Sequence, residues 1–571
     1  MIVRDVKIHY GVFDESIIED ERTESASSSS AFVQSIDSLL TVENRDKLAW
    51  LEKDYFLLDG KHLFPEEGKK YNIGWESNNL SNTSGVLDEY IQFNFAQVHS
   101  SFGILIYFAE NSEARDFTID YYKDATLVKS HSVTDNTSNK VTVLDIIEEW
   151  NKVKITVTKT VTQQRARIMS ISFGIGSDLD KNSIINASAS SVTDISTDTF
   201  ECGSFSFQFF NDGGVFAIQD IRDMPLALQE SIMATIFVKF NNSASFVTFG
   251  KYNSTEIKIE EKGTVVTIAG YDELYNLNNT IYKKGIVYPQ GRSLKAWAEE
   301  VAADADVDIV VDDSFANVMS TGYITEVPHR EAFRLIAEAG NGYLWIDSDS
   351  VIHISKYTEK NVPDLTEDEI VQDTLNIDSA DRYFGVQVSR YAFSPTKDLV
   401  SGGLGYLEEV SLTPDVQELE IVYSQYPAVV STVEVKVNPT SSAVLSNVRI
   451  YSDRCVFDLR GNAGDTTWVT VIGKAYNQAI ITDSAGSLLK SYKKIENNFL
   501  ITGSLGQAVA TYQNNIVSNR YAYSAEVVSD NVINLADRVK VDNNPVIIEN
   551  INLNVEYGDQ TVSIEGTSDD K

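Results

Sequence analysis

The chain is poor in cysteine, histidine, methionine and proline: of 571 residues, 2 are Cys, 6 His, 5 Met and 10 Pro. Cys202 and Cys455 lie far apart, which excludes a disulfide-dense scaffold; two reduced thiols in a chain made in a reducing cytoplasm are expected. The histidines, His9, His62, His99, His131, His329 and His353, stand singly, whereas a metal site needs clustered ligands, so no metal is expected. No window reaches the roughly 18 apolar residues of a membrane span. The first residues, MIVRDVKIHYGVF, lack the apolar core of a signal peptide. A soluble protein without a standard export signal is the expectation. Basic residues are also scarce, 47 against 83 acidic, for a net charge of −36. Such a surface repels phosphate and argues against a groove that grips nucleic acid, while leaving open a lumen past which nucleic acid slides.

The common chemical motifs are missing too. There is no G-x-S-x-G, H-E-x-x-H, G-x-x-x-x-G-K-[ST] or C-x-x-C. GGLGYLEE (402–409) lacks dinucleotide spacing and a helical continuation, and reads as a turn. Glu299 with Glu300, and Asp312 with Asp313, are adjacent carboxylates. Sequence neighbours do not converge on one substrate atom, so a solvated face is expected rather than acid–base work. Asp178, Asp180 and Asn182 are spaced like the start of a calcium loop. Ser183 at the sixth position and Ala189 at the twelfth break that pattern, and residues 178–191 read as a polar linker. No enzyme activity and no cofactor are expected.

What is present favours strands. Apolar residues make up 43%, with 27 Tyr and 26 Phe. At this length a single core is excluded, and a length prior gives roughly four domains. The expected class is mainly β and multidomain. Val6, Ile8 and Tyr10 alternate in a first strand. An acidic, Ser-rich stretch, IIEDERTESASSSSA, then reads as a loop or arm. From 74 to 176, strand-length runs separated by turn signals predict an antiparallel β-sandwich. Ile104, Ile106 and Phe108 share a face in one run, and Phe117, Ile119 and Tyr121 in the next. Strands resume after 191, where Phe205, Phe207 and Phe209 alternate with polar residues.

Residues 293–357 interrupt this β pattern. Ser293 N-caps a helix whose Leu294, Trp297, Ala298 and Val301 share one face. An acidic connection follows at 304–313. Phe333, Ile336 and Ala337 mark a second helix, stopped by Gly340 in the left-handed conformation. Leu344 and Ile346, then Ile352 and Ile354, alternate as a hairpin. Late in the chain Ser504 and Gln507 form a capping box. They precede a helix with Leu505, Ala508, Val509, Tyr512 and Ile516 on its apolar face.

The run order between 74 and 176, ending in VKITVTKT and RARIMSISFG, resembles the galactose-binding-like jelly roll. Trp75 and Trp150 are the candidates for stacking on sugar rings, since an aromatic face is a large apolar surface; the competing reading is that both fill the core.

From 191 onward the order of segments resembles the tail-hub (baseplate-hub or tail-associated) proteins of bacteriophages. Four segments carry the likeness. They are VTIAGYDELYNLN; SLKAWAEEVAADADVDIVVD; VPHREAFRLIAEAGNGYLWIDSDSVIHISKY; and a closing set comprising LGQAVATYQNNIVSNRY, LADRVKV and strands ending on IEG. Where the family often carries Gly-Asp, this chain has Ala536-Asp537.

The resemblance implies a structural virion protein, assembled in the host cytoplasm and placed at the tail tip. It implies a homotrimer whose β-barrel-like domains close the tail tube. Its implied partners are the tail tube or distal tail protein, the tape-measure protein, and spike or fibre proteins, with a host-surface glycan a further candidate. The corresponding division is 1–73, N-terminal strand and arm; 74–176, sandwich, expected as an insertion; 177–290, first hub β-domain; 291–357, small α/β lobe; 358–571, second hub β-domain and closing strands. The first strand is expected to join the sheet that resumes near Ser191. The alternative reading is a non-enzymatic carbohydrate-binding β-module protein that attaches to a cell surface.

Overall fold

The structure is a computed structural model describing residues 3–13, 20–27, 73–180, 183–197, 201–210, 232–241, 246–260, 265–356, 365–379, 383–517, 521–529, 533–541, 544–556 and 559–568, together with isolated positions between 17 and 71. The chain is mainly β and multidomain. Its largest element is a 12-stranded antiparallel sheet. The strand Val3–Phe13 lies between Ile232–Phe240 and Gly174–Asp180. The first strand therefore does join the later sheet, and the whole sandwich is inserted between it and its partners.

From Ile232–Phe240 the sheet continues through Val247–Ile259, Val265–Tyr271, Ser204–Phe210 and Ile184–Val192. It then passes to the closing strands Asn544–Glu556, Asp559–Ser568 and Tyr521–Val527, and ends at Asn376–Ser379. Val3–Phe13 also approaches Asp559–Ser568, so the sheet curls into a barrel-like body. Val6, Ile8, Tyr10, Phe207, Leu553 and Ile564 share its core.

Residues 178–191 are not a linker. They contribute to Gly174–Asp180 and Ile184–Val192, two strands of this sheet. The backbones of Asp178 and Asp180 pair with His9 and Lys7 rather than turning around a cation; Asn182 lies outside the described residues. The small residues that made this stretch look like a linker are a packing device. Ala187 and Ala189 are buried opposite Phe207 and Phe205, where larger side chains would crowd the rings.

The sandwich is built on a 7-stranded sheet. The runs YIQFNF (90–95) and FGILIYFA (102–109), which read from sequence as separate strands, belong to one strand of 23 residues, Val86–Phe108, paired with Lys140–Thr160. Register shifts between Asn94 and Ile104 mark where this long pair is irregular, and bulges bend the strands that carry them. Part of the Ser-rich arm is also a strand, Arg22–Ala26, paired with residues 91–95. The rest of the arm falls largely outside the described residues.

The α/β lobe contains the helices Leu294–Ala305 and His329–Gly340 and the hairpin Gly342–Ile346/Ile352–Lys356. Ser293 Oγ accepts the Ala296 N–H, as the cap requires. The second helix ends one residue later than expected: Gly340 is its last residue, and Asn341 takes the left-handed conformation at φ 57°. A Cβ on Gly340 would fall 2.1 Å from Cε1 of Phe315, so it is close packing that requires glycine here. The acidic connection is partly ordered as Ile309–Val311, parallel to Ile352–Lys356.

The lobe does not close a core alone. Trp297, Phe333 and Ile336 share theirs with Val386 and Val388 of Gly385–Pro395 and with Val509 and Ala510 of the helix Leu505–Val517. That last helix is rotated from expectation. Gly506, Val509, Ala510, Gln513 and Val517 are buried, while Ala508 is exposed. Two contacts set this rotation. Gly506 sits against Asp483 and Arg390 with no room for a Cβ, and Gln513 Oε1 accepts a 2.9 Å hydrogen bond from buried Lys493. Gln507 is not engaged as a capping box; its amide donates to the Ser484 carbonyl and to Thr511.

Residues 358–571 do not form one sheet. The closing strands lie in the 12-stranded sheet. Gly385–Pro395 and Tyr476–Gly486 form a two-stranded ribbon, joined in parallel by Lys493–Ile495. Between them, at 396–475, sits a module of two three-stranded sheets around Leu404, Cys455, Phe457, Leu459, Val469 and Val471.

Trp297→Ala and Phe333→Ala each empty a fully buried site and are expected to cost about 3–5 kcal/mol. Glu299 is exposed, and Glu299→Gln is expected to change stability by less than about 0.5 kcal/mol. Thermal unfolding of the three variants beside the parent chain measures both.

Candidate functional site

Trp75 and Trp150, the candidate sugar-stacking residues, are 1% and 0% exposed. Trp75 lies in a short strand paired to Ile168. Trp150 is enclosed by Phe95, Tyr121 and Phe173, with ring centroids at 5.5, 5.4 and 5.1 Å. Neither indole offers a face to solvent, so their placement is that of core residues and stacking on a sugar at these two positions is not available. The physical reason is the strand pleat, which turns both rings inward. The half-buried tyrosines of the outer face, Tyr90 and Tyr122, are themselves covered: Lys154 Nζ lies 4.2 Å from the first ring centroid and Lys152 Nζ 4.7 Å from the second.

Among the described residues no three His, Cys, Asp or Glu side chains are arranged to hold a metal ion. His329 bonds Thr280 Oγ1 at 2.9 Å and Asp304 at 3.2 Å. His353 bonds Asp347 at 2.8 Å and stacks on Trp345. Of the carboxylate pairs, Glu300 bonds Tyr282 and Arg292, Asp312 accepts the Ser314 N–H, and Asp313 pairs with Lys295. They are tied into separate contacts rather than brought together. Both cysteines are free. Burial pushes the Cys202 thiol up to about 12 and the Cys455 thiol up to about 11, away from the reactive thiolate.

A cleft of about 430 Å³ lies beside the closing strands, with Asp194, Glu201, Asp378, Glu549 and Glu565 on its wall. Several of these carboxylates are engaged. Asp194 accepts from Ser196, and Glu565 accepts from Asn550 and Asn552.

The arrangements that do converge are joints between parts of the chain. Arg454, whose side chain is 2% exposed, bonds Glu326 of the lobe, Glu420 at 2.6 Å, and its neighbour Asp453. Its hydrogen bond holds the Glu326 carboxyl below the ordinary range. Beside it the Ser452 N–H donates to the Gly285 carbonyl at 2.9 Å. A Cβ at Gly285 would stand 1.8 Å from the Ile324 carbonyl oxygen, which makes glycine necessary there. On the other side, Thr193 Oγ1 donates to the Leu344 carbonyl at 2.9 Å. Ile195, Tyr343, Ala536 and Ile547 form a small apolar contact between lobe and barrel. Ala536 has φ 61°. These joints were not recognised from sequence, because their partners lie far apart along the chain. A further contact does carry a local sequence signal, YDEL at 271–274.

In that motif Asp272 caps a short helix, accepting the Gly203 N–H at 2.6 Å and the Leu274 N–H at 3.1 Å. Burial outweighs these donors and raises its pKa to about 7.

No family model matches this chain, and no curated protein sequence matches it. Solved structures of phage and prophage tail proteins do. The 43 kDa tail protein of prophage MuSo2 from Shewanella oneidensis is similar with a TM-score of 0.39 and 10% identity, over 69% of this chain and 96% of that one. The prophage tail protein gp18 from Listeria monocytogenes gives 0.35 and 9%, over 68% and 91%. The family 32 carbohydrate-binding module of NanJ from C. perfringens, solved with galactose, gives 0.18 and 17%, over 30% of this chain and 99% of the module. At these scores no role for this chain follows from the likeness alone.

Because the folded pKa of Asp272 lies above its unfolded value, its proton stabilises the fold at low pH, and that contribution is lost as pH rises from the ordinary carboxylate value through about 7. Asp272→Asn removes the charge but keeps only one of the two acceptor oxygens, a loss that is the same at every pH. Relative to the parent chain, its melting temperature is expected to gain most above pH 7 and least near pH 4–5, as melting curves across that range would read out.

Proposed function

We propose that the chain is a non-enzymatic structural component of a phage tail tip, a trimeric hub that closes the tail tube and connects it to spike, fibre or other baseplate proteins. The observation that carries this reading is the lobe at 291–357. It shares a core with the ribbon while being bonded to the barrel and to the 396–475 module. A part so fixed holds β-bodies at a set angle, which a closed ring requires. The barrel-like body then supplies the ring. The sandwich (74–176), attached through the first strand, is an outward appendage that meets neighbouring baseplate proteins or a host-surface glycan. A glycan contact there would use residues other than Trp75 and Trp150. The distal tail or tube protein and the tape-measure protein are the partners above the ring. The virion tail tip is the location.

Light scattering on the purified full chain, followed by electron microscopy, is the test. A stable trimer with a central opening is the expected outcome, and a chain that stays monomeric at all concentrations overturns the proposal.

A further inference from the structure

A sheet edge is a template for another strand, and proteins usually guard it with charge, proline or a bulge. The strand Tyr476–Gly486 is the outer strand of its sheet. It pairs with Gly385–Pro395 along its whole length without a register shift, so no bulge turns the edge away. Residues 477–482 are exposed on both faces, Ile480 at 63% and Ile481 at 37%. Beyond the ladder to Gly385–Pro395, their backbone groups make no hydrogen bond among the described residues. The stretch 476–482 reads YNQAIIT, with neither charge nor proline.

The strand's single charge, Asp483, lies beyond this stretch and is paired with Arg390 at 2.7 Å, whereas other outer strands carry charge within comparable lengths. Gly174–Asp180 has Asp178 and Asp180, Thr126–Val133 has Lys129, Gln417–Val422 has Glu418 and Glu420, and Val444–Ile450 has Arg449. At the foot of the ribbon the Tyr476 N–H bonds the Pro427 carbonyl at 2.7 Å, and the neighbouring Tyr426 is exposed, which continues the uncharged surface.

The charge balance selects the occupant. Two copies of a chain with net charge −36 repel over most of their surface, so contact between them is favoured where acids are absent. A basic partner would be drawn to the carboxylates and would gain nothing from a neutral strand. We infer that residues 476–482 form the seam through which one copy of this chain pairs with the next, by backbone strand addition, with Ile480 and Ile481 packed against the neighbour. This deepens the hub reading and rests on it for the ring. Cyclic closure needs this edge to meet a different surface of the next copy, because pairing with its own equivalent stops at a dimer.

The test sizes the full chain and the variants Ile480→Lys and Ile481→Lys by light scattering at matched concentration. Hydrogen exchange of the backbone amides over 477–482 is followed in parallel. The expected result is an assembled parent with these amides protected, and variants that lose assembly while keeping the parent's melting temperature. An assembled parent whose outward-facing amides exchange freely overturns the seam and leaves the hub standing, whatever the variants do. Folded variants that assemble like the parent have the same consequence. A dimer with protected amides keeps the seam and overturns the ring. A parent that is monomeric throughout overturns both.

Discussion

Val3–Phe13 is gripped on both edges by strands that follow the entire sandwich, Gly174–Asp180 on one side and Ile232–Phe240 on the other. The rest of the architecture depends on this pairing. Without it the barrel lacks the strand that approaches Asp559–Ser568 and closes its wall, and Val6, Ile8 and Tyr10 leave its core. The entropy of closing so long a loop grows only slowly with its length. It grows more slowly still if the sandwich folds first and holds the ends of the insertion close. The sandwich has its own core, including Phe93, Ile119, Trp150 and Ile155, and can therefore serve as a preformed spacer.

The lobe is organised on the opposite principle. Its helices bury Trp297 and Phe333 in a core that takes in the ribbon and the helix Leu505–Val517. Neither side can move without exposing apolar surface on the other. The polar contacts fix the direction of that attachment. Arg454 is buried against carboxylates from three positions. A buried ion pair adds little net stability over an apolar replacement, but losing one partner is costly because the remaining charges stay buried. Its clearest effect is on register: Glu420 and Asp453 hold the guanidinium from within the module, Glu326 of the lobe reaches it from outside, and a shifted docking would strand Glu326.

How much of this was legible depended on how local the determining contacts are. The lobe could be read because capping and amphipathic spacing are local. Ser293, Trp297, Val301 and Phe333 sit as their spacing implied. Val6, Ile8, Tyr10, Phe205, Phe207 and Phe209 likewise reported their faces by alternation. Ile184–Val192 was illegible because its small residues look like a linker until the phenylalanines opposite them are known. The face of Leu505–Val517 was misjudged because Gly506 and Gln513, neither of them apolar anchors, decide it through Asp483 and Lys493. The module at 396–475 left no signal, since a β-insertion within a β-ribbon changes neither composition nor periodicity. Trp75 and Trp150 show the limit for site residues: aromatic identity says that a ring will be covered, and only the fold says whether protein or ligand covers it.

The few cations bear on how such a chain can associate. Several of the 47 basic residues are used at internal contacts. Arg454 serves the module joint, Arg165 and Arg167 meet Glu52 and Glu76 in the sandwich, Arg334 bridges Glu331 and Glu338, and buried Lys493 donates to Ser196 and Gln513. Each such use leaves fewer positive charges at the surface to offset the acids there. Long-range forces between copies are then repulsive and weaken with salt over about 10 Å. Short-range contacts must come from backbone pairing and apolar surface, which salt screening does not weaken. The uncharged edges are therefore the parts of the surface at which long-range repulsion between copies is weakest.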